Sequence, residues 1–318
     1  MFISSTYSFV LAALLLLPAT STALAADSSI LPVPQQVSKH VYAWIGPHEG
    51  PNVKNKGYRM NMGFVIGDDA VAMLETGYYP KMAEAMVAHI RDITDKPIKY
   101  AINTNSQPDR FFGNAVFKKL GAQILAHPKE IQRMEENASN YMAMIENTMK
   151  FKEGDIAEPV LPDYLIEKNT SIDLGGGVTL NIDFHKAAHT PSPLIVYIPR
   201  DNVVYAGDIL YSGRILAIVP GGNIKQWLET FAYLKKYKNA TFVPGHGKPA
   251  ALEGFSKSTF DYLTMLDNHM SQRVDEGVEM QDAINKLDQS AFSYLKNFEQ
   301  LSGRNANRAF QEAENAAF

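Results

Sequence analysis

No cysteine occurs in the 318 residues of the chain. Disulfide staples and thiolate metal ligands are both excluded, so stability has to come from packing. A basic excess is missing too: 30 Lys and Arg stand against 34 Asp and Glu, for a net charge of −4. Binding along a phosphate backbone needs the opposite balance, and nucleic acid is not an expected partner. No apolar run reaches the roughly 20 residues that a membrane-spanning helix needs. Internal repeats and low-complexity tracts are also lacking. The run Gly175-Gly176-Gly177 is no phosphate loop, because no helical pattern follows it.

What is present is a chain 46% hydrophobic, long enough for one α/β domain with a substantial core. The apolar stretch Phe9 to Leu17, then Pro18 and a small-residue ending Ala23-Leu24-Ala25, fits a signal peptide over residues 1–25. Its n-region lacks Lys and Arg. The expected product is an exported protein, periplasmic or secreted, with a main domain over residues 26–266 and a helical extension over 267–318.

Short apolar runs alternate with helical patterns. Val41 to Ile45 reads as a strand, and Gly63 to Gly67 with Ala70 to Leu74 as a hairpin turning at Asp68-Asp69. Ala83, Met86, Val87, Ile90 and Ile93 fall on one helical face before Pro97, and Ile98 to Ile102 reads as a buried strand. A helix from Gly113 to Leu120, a strand at Gln123 to Ala126 and a Met-rich helix from Pro128 to about Lys150 follow. Its methionines are expected to fill core or line a groove. Strands at Ile172 to Leu174, Val178 to Phe184, Leu194 to Ile198 and Val203 to Ala206 come next. A helix over Ile224 to Tyr237 and a strand at Thr241 to Val243 complete the pattern, which builds sheets with helices outside.

Four polar stretches each follow a predicted strand: Asn105-Ser106-Gln107-Pro108-Asp109-Arg110, Ala188-His189-Thr190-Pro191, Ala206-Gly207-Asp208 and Pro244-Gly245-His246-Gly247. Together with Glu75-Thr76-Gly77 they resemble, in order, the metal-binding loops of the metallo-β-lactamase superfamily, over roughly Val41 to Gly247. The family's first loop reads Thr-His-x-His-x-Asp-His. Here Asn105, Gln107 and Arg110 stand at its three histidine positions, and only Asp109 is kept. The ending Asn307-Arg308-Ala309-Phe310 resembles an exported subgroup linked by name to quinoprotein relay systems.

The resemblance implies an αββα sandwich of two mixed sheets and a metal-dependent hydrolase. Amide oxygens are poor zinc donors, so the family's first metal position keeps only His189 with Asp208 and is expected to be empty. The second keeps Asp109, Asp208 and His246, a set for one divalent ion, zinc first with manganese and iron as alternatives. The single-zinc β-lactamases of the family also carry Asn and Arg at the outer loop positions, but keep a histidine where Gln107 stands and a cysteine where Asp208 stands. The implied chemistry is hydrolysis of an ester, thioester or amide, with Asp109 or Asp208 taking up a proton and Asn105, Gln107 and Arg110 holding an anionic small molecule. The other reading is a metal-free family member that acts as a periplasmic binding protein. Geometry separates the two: convergence of Asp109, Asp208 and His246 suits an ion, whereas Arg110 folded between the aspartates suits a closed site. His185, four residues before His189, is a possible substitute ligand.

Overall fold

The computed structural model describes residues 28–152 and 156–317. The expected signal peptide, residues 1–25, lies outside the described residues. Two sheets form the centre. The first has seven strands in sequence order: β1 (Gln35–Gln36), β2 (Val41–Trp44), β3 (Met62–Ile66), β4 (Val71–Leu74), β5 (Ile98–Ile102), β6 (Gln123–Ala126) and β7 (Tyr164–Leu165). It is mixed, antiparallel from β1 to β4 and parallel from β4 to β7. The second has five strands: β8 (Thr170–Asp173), β9 (Thr179–Asp183), β10 (Ile195–Ile198), β11 (Val203–Tyr211) and β12 (Thr241–His246). Their order is β12-β11-β10-β9-β8, with only β11 and β12 parallel.

Strand alternation sorts side chains into three apolar layers. In β4, Ala72 and Leu74 face the second sheet, while Val71 and Met73 face the outer helices. In β11, Val203 and Tyr205 face the first sheet, while Val204 and Ala206 face the helices on the other side. Both strands are buried on both faces, which is why they read as continuous apolar runs. Outside the first sheet lie α1 (Pro80–Ile93), α2 (Pro108–Phe111), α3 (Asn114–Lys119) and α4 (Pro128–Met149). Outside the second lie α5 (Ile224–Tyr233), α6 (Tyr262–Asp275), α7 (Met280–Asn285) and α8 (Phe298–Ala317). This is the expected αββα sandwich.

Several boundaries differ from the sequence pattern. The boundary expected at residue 266 falls inside α6, and residues on both sides of it, Leu263 and Phe310 among them, share one core with β11 and α5. Strands β11 and β12 run on past Ala206 and Val243, so Asp208 and His246 stand within paired strand rather than on loops after it. A register shift at Gly207 lets β11 continue, and Pro244 is tolerated because β12 is an edge strand. Helix α5 ends at Tyr233, and Leu234 to Lys236 tighten into a 3₁₀ turn. Among the methionines of α4, Met134 and Met149 are buried while Met144 is exposed and borders a cleft, so the stripe serves both core and groove. No helix among the described residues is long and apolar enough to cross a membrane.

Candidate functional site

The site lies where β4, β5, β11 and β12 end together. Leaving β4, Glu75 adopts a left-handed backbone (φ 67°) and is fully buried. Its Oε2 accepts from the Thr104 amide at 3.1 Å and its Oε1 bonds the Thr104 hydroxyl. Burial pushes the Glu75 carboxyl up to about 8, against a partial counter-effect of the Arg110 charge. The folded protein therefore keeps a proton that an unfolded chain releases near pH 4.3, roughly. Stability from this group is complete at low pH and drains away as pH climbs towards 8. Glu75→Gln, which can make the same two bonds without ionising, is expected to flatten the loss of melting temperature over that range. Thermal melts between pH 5 and 8, roughly, check it; an unaltered slope would mean that Glu75 is already ionised in the fold.

After β5 the chain turns through Asn103 to Gln107 into α2. Asn105 is buried; its Oδ1 accepts from the Gln107 amide at 2.9 Å and its Nδ2 donates to Asp208 Oδ2 at 2.9 Å. Glu130 of α4 fastens this turn to the next loop, accepting from the Ser106 amide at 3.0 Å and the Ser192 amide at 2.7 Å. Gln107 lines the cleft beside Pro108 and Asp109.

Arg110 points inward and is fully buried. Its Nη2 donates to both oxygens of Asp208, at 2.7 and 2.8 Å, and its Nε to Asp208 Oδ2 at 3.1 Å. Its Nη1 donates to the Asn61 carbonyl at 3.0 Å, which also accepts from the Tyr205 hydroxyl at 2.7 Å. Asn61 in turn ties the site's edge together, its Nδ2 donating to the Pro244 and Gly247 carbonyls at 2.8 Å each. Burial works against the guanidinium charge, but the Asp208 and Asp109 carboxylates outweigh it and hold Arg110 protonated. Burial likewise works against the Asp208 carboxylate, and the Arg110 guanidinium holds its pKa far below the usual range. Gly245 is needed beside it, because a β-carbon there would collide with Asp208 Oδ1.

The two histidines flank this pair. His189 Nδ1 meets the Ala217 carbonyl at 2.8 Å, and His246 Nδ1 meets the Arg59 carbonyl at 3.0 Å. A carbonyl only accepts, so both imidazoles carry their proton on Nδ1 and keep a lone pair on Nε2. Burial lowers the pKa of both and keeps them neutral. His246 Nε2 lies 3.5 Å from Asp208 Oδ1, and its ring stacks on Tyr211 at 5.1 Å. Asp109 lies between two guanidiniums, 3.5 Å from Arg110 Nε and 3.7 Å from Arg59 Nε.

These residues do not fit a metal ion. Imidazoles anchored through Nδ1 do suit ligation, but Asp208, the residue common to both metal positions of the resemblance, has both oxygens occupied by a guanidinium. A divalent ion about 4 Å from that charge would be repelled by roughly 8 kcal/mol at an effective dielectric of about 20. Among the described residues no group of three His, Cys, Asp or Glu is placed to hold an ion. The expected set Asp109, Asp208 and His246 is thus gathered around Arg110, and His189 lines the same cleft without completing a ligand shell. His185 is elsewhere, stacked on Tyr233 at 4.2 Å and bordering another pocket.

In front of the pair opens a cleft of about 450 Å³. Its walls include residues that no motif flagged: Arg59, Tyr78, Arg214 and, from α8, Gln300 and Arg304. They come from segments far apart in sequence and carry no shared period, so only the tertiary fold reveals them. Helix α8 is fastened in place by Asn305, whose Nδ2 donates to the Leu216 carbonyl at 2.8 Å and whose Oδ1 accepts from the Ile218 amide at 3.0 Å.

Two mixed sheets face to face, helices outside and a polar cleft at the strand ends define a hydrolase-like sandwich. The chain belongs to the Metallo-beta-lactamase superfamily, which residues 58–246 match. It is similar to Metallo-beta-lactamase IND-1 of Chryseobacterium indologenes, with 24% identity over 221 residues that cover 68% of this chain and 82% of the relative. Among solved structures, a metallo-beta-lactamase from Pontibacter korlensis matches with a TM-score of 0.59 at 17% identity, covering 73% of this chain and 98% of that one. Another, from Hirschia baltica, matches with a TM-score of 0.56 at 18% identity, covering 73% and 96%. These structural likenesses establish the fold. The family match ends at residue 246, before α6, α7 and α8.

Proposed function

We propose that this chain is an exported family member that works without a metal ion, as a binding protein for a small anionic molecule. The observation that carries the reading is Arg110, whose guanidinium takes both oxygens of Asp208 where the family resemblance calls for a metal ion. Asn105 and Gln107 support it, since they offer amide groups where the resemblance calls for imidazoles, and neither can take a proton from water. The buried pair supplies the positive charge that Asp208 needs, so the cleft stays folded with no added cation. Asp109, Asn105 and Gln107 then serve to position groups around the cleft, with Gln107 free to bond a ligand. The leader-like residues 1–25 support export, and Asn307-Arg308-Ala309-Phe310 supports assignment to the quinoprotein-linked subgroup.

Thermal melts of the mature protein in excess chelator and in excess zinc test this. The melting temperature is expected to stay within about 1 °C between the two, because a ligand that does not bind the fold does not stabilise it. A rise of several degrees in zinc that disappears in Asp208→Ala would sink the metal-free reading.

A further inference from the structure

The cleft carries more positive charge than its own carboxylates can match. Arg59, Arg214 and Arg304 line it, and its only lining carboxylates among the described residues are Asp109 and Asp208. Asp208 is taken by Arg110, and Asp109 is shared between Arg110 and Arg59. Arg214 and Arg304 have no ion pair among the described residues, and the nearby imidazoles are neutral. This local excess exists in a chain whose net charge is −4, so it is concentrated in the cleft rather than spread over the surface.

Arg214 is the more telling of the two. It is only 3% exposed, its Nε donates to the Ile215 carbonyl at 3.3 Å, and its Nη1 has no hydrogen-bond partner among the described residues. A buried guanidinium with neither counter-charge nor a full set of acceptors is costly unless something else supplies them. Burial, reinforced by the Arg59 charge, lowers its pKa to about 10, which leaves it charged at neutral pH. The backbone around it is held in place: the Ile215 amide donates to the Lys296 carbonyl at 3.0 Å, and the Lys296 amide to the Gly213 carbonyl at 3.1 Å. Arg304 is exposed at the rim on α8, one turn from Gln300 on the same helix face.

We propose that the cleft recognises a small dianion, gripped between Arg214 in its wall and Arg304 on α8, with Arg59 beside them. A volume of about 450 Å³ suits a molecule of metabolite size. Planar guanidiniums suit carboxylate or phosphate groups, which accept two parallel N–H bonds. Helix α8 lies outside the segment that the family model matches, and it supplies one wall of the cleft. The proposal deepens the binding reading and rests on it, since a bound metal ion would add two further charges to the same space.

Titration calorimetry on the mature protein tests it, with glutarate, succinate and inorganic phosphate as probes, each in EDTA and again in zinc. The expected result is saturable binding of at least one probe in EDTA, weakened about tenfold or more by Arg304→Glu and by Arg214→Gln, as the loss of a charged hydrogen bond demands. Arg304 is exposed, so its variant folds even where the buried Arg214→Gln does not. No saturable heat from any probe, or binding unchanged in Arg304→Glu, overturns the proposal. Arginine-dependent binding in EDTA by a protein that also takes up zinc overturns the metal-free reading alone and leaves the arginine site standing.

Discussion

Arg110→Ala is expected to lose about 3–5 kcal/mol of unfolding free energy, or to fail to fold, because it strands the Asp208 carboxylate in the interior without a counter-ion. Both partners are almost wholly buried, so solvent cannot make up the loss. The Asn61 carbonyl loses one of its two donors in the same step. Removing both charges is a different experiment. Arg110→Met with Asp208→Leu puts apolar groups where the ions were, and most of the loss is expected to be recovered, since the desolvation cost disappears along with the attraction. Recovery stays incomplete because Asn105 Nδ2 and the Asn61 carbonyl lose partners. Urea denaturation of the two variants beside the parent decides the matter. A single variant within about 1 kcal/mol of the parent, as for an exposed pair, would mean that Arg110 does not hold the site together.

The second large effect is a gain. Asn105→His, Gln107→His and Arg110→His together remove the competing cation and place three imidazoles beside His189, Asp109, Asp208 and His246. His189 and His246 already carry their proton on Nδ1, which leaves the Nε2 lone pair of each for ligation. The triple variant is expected to bind about one equivalent of zinc or more, where the parent binds none, and to be less stable than the parent in chelator. Zinc should then raise its melting temperature, by about 2.7 kcal/mol of stabilisation at a hundredfold excess over the dissociation constant. Equilibrium dialysis with elemental analysis reads the binding, and melts with and without zinc read the stability. A folded triple variant that takes up no zinc would show that something other than Arg110 and the missing imidazoles closes the site.

Acid adds a contrast to the Glu75 behaviour. The folded-state pKa of Asp208 is depressed, so its contribution is present above the ordinary carboxylate range, about 3.9 and upward, and fades as pH falls below it. Glu75 acts in the opposite sense, losing stability as pH rises towards 8. Two buried carboxyl groups of one site thus bound the pH range of the fold from either side.

Much of the fold was legible in the sequence for physical reasons. Strands such as Val71–Leu74 and Val203–Ala206 are buried on both faces and so appear as unbroken apolar runs, and the helices between them show a single apolar face. The resemblance of the polar stretches between these runs to the family's metal-binding loops marked Asn105 to Arg110, His189, Asp208 and His246 as neighbours. What they do there was not legible. Whether Arg110 faces solvent, a substrate or Asp208 depends on side-chain direction in a four-residue helix, which spacing does not encode. The run of β11 past Asp208 depends on a register shift against β12, a partner strand some forty residues away. Arg214 sits three residues past the end of β11 and Arg304 lies on the last helix; both line one cleft only because α8 folds back over it.

Elemental mass spectrometry of the purified mature protein, after dialysis against excess zinc and then against metal-free buffer, tests most directly whether Arg110 stands where a metal would. The expected result is no stoichiometric zinc, manganese or iron, with the folded state intact. About one equivalent of metal that vanishes in Asp208→Ala/His246→Ala would contradict it, because those two residues could then hold an ion only if Arg110 had moved aside.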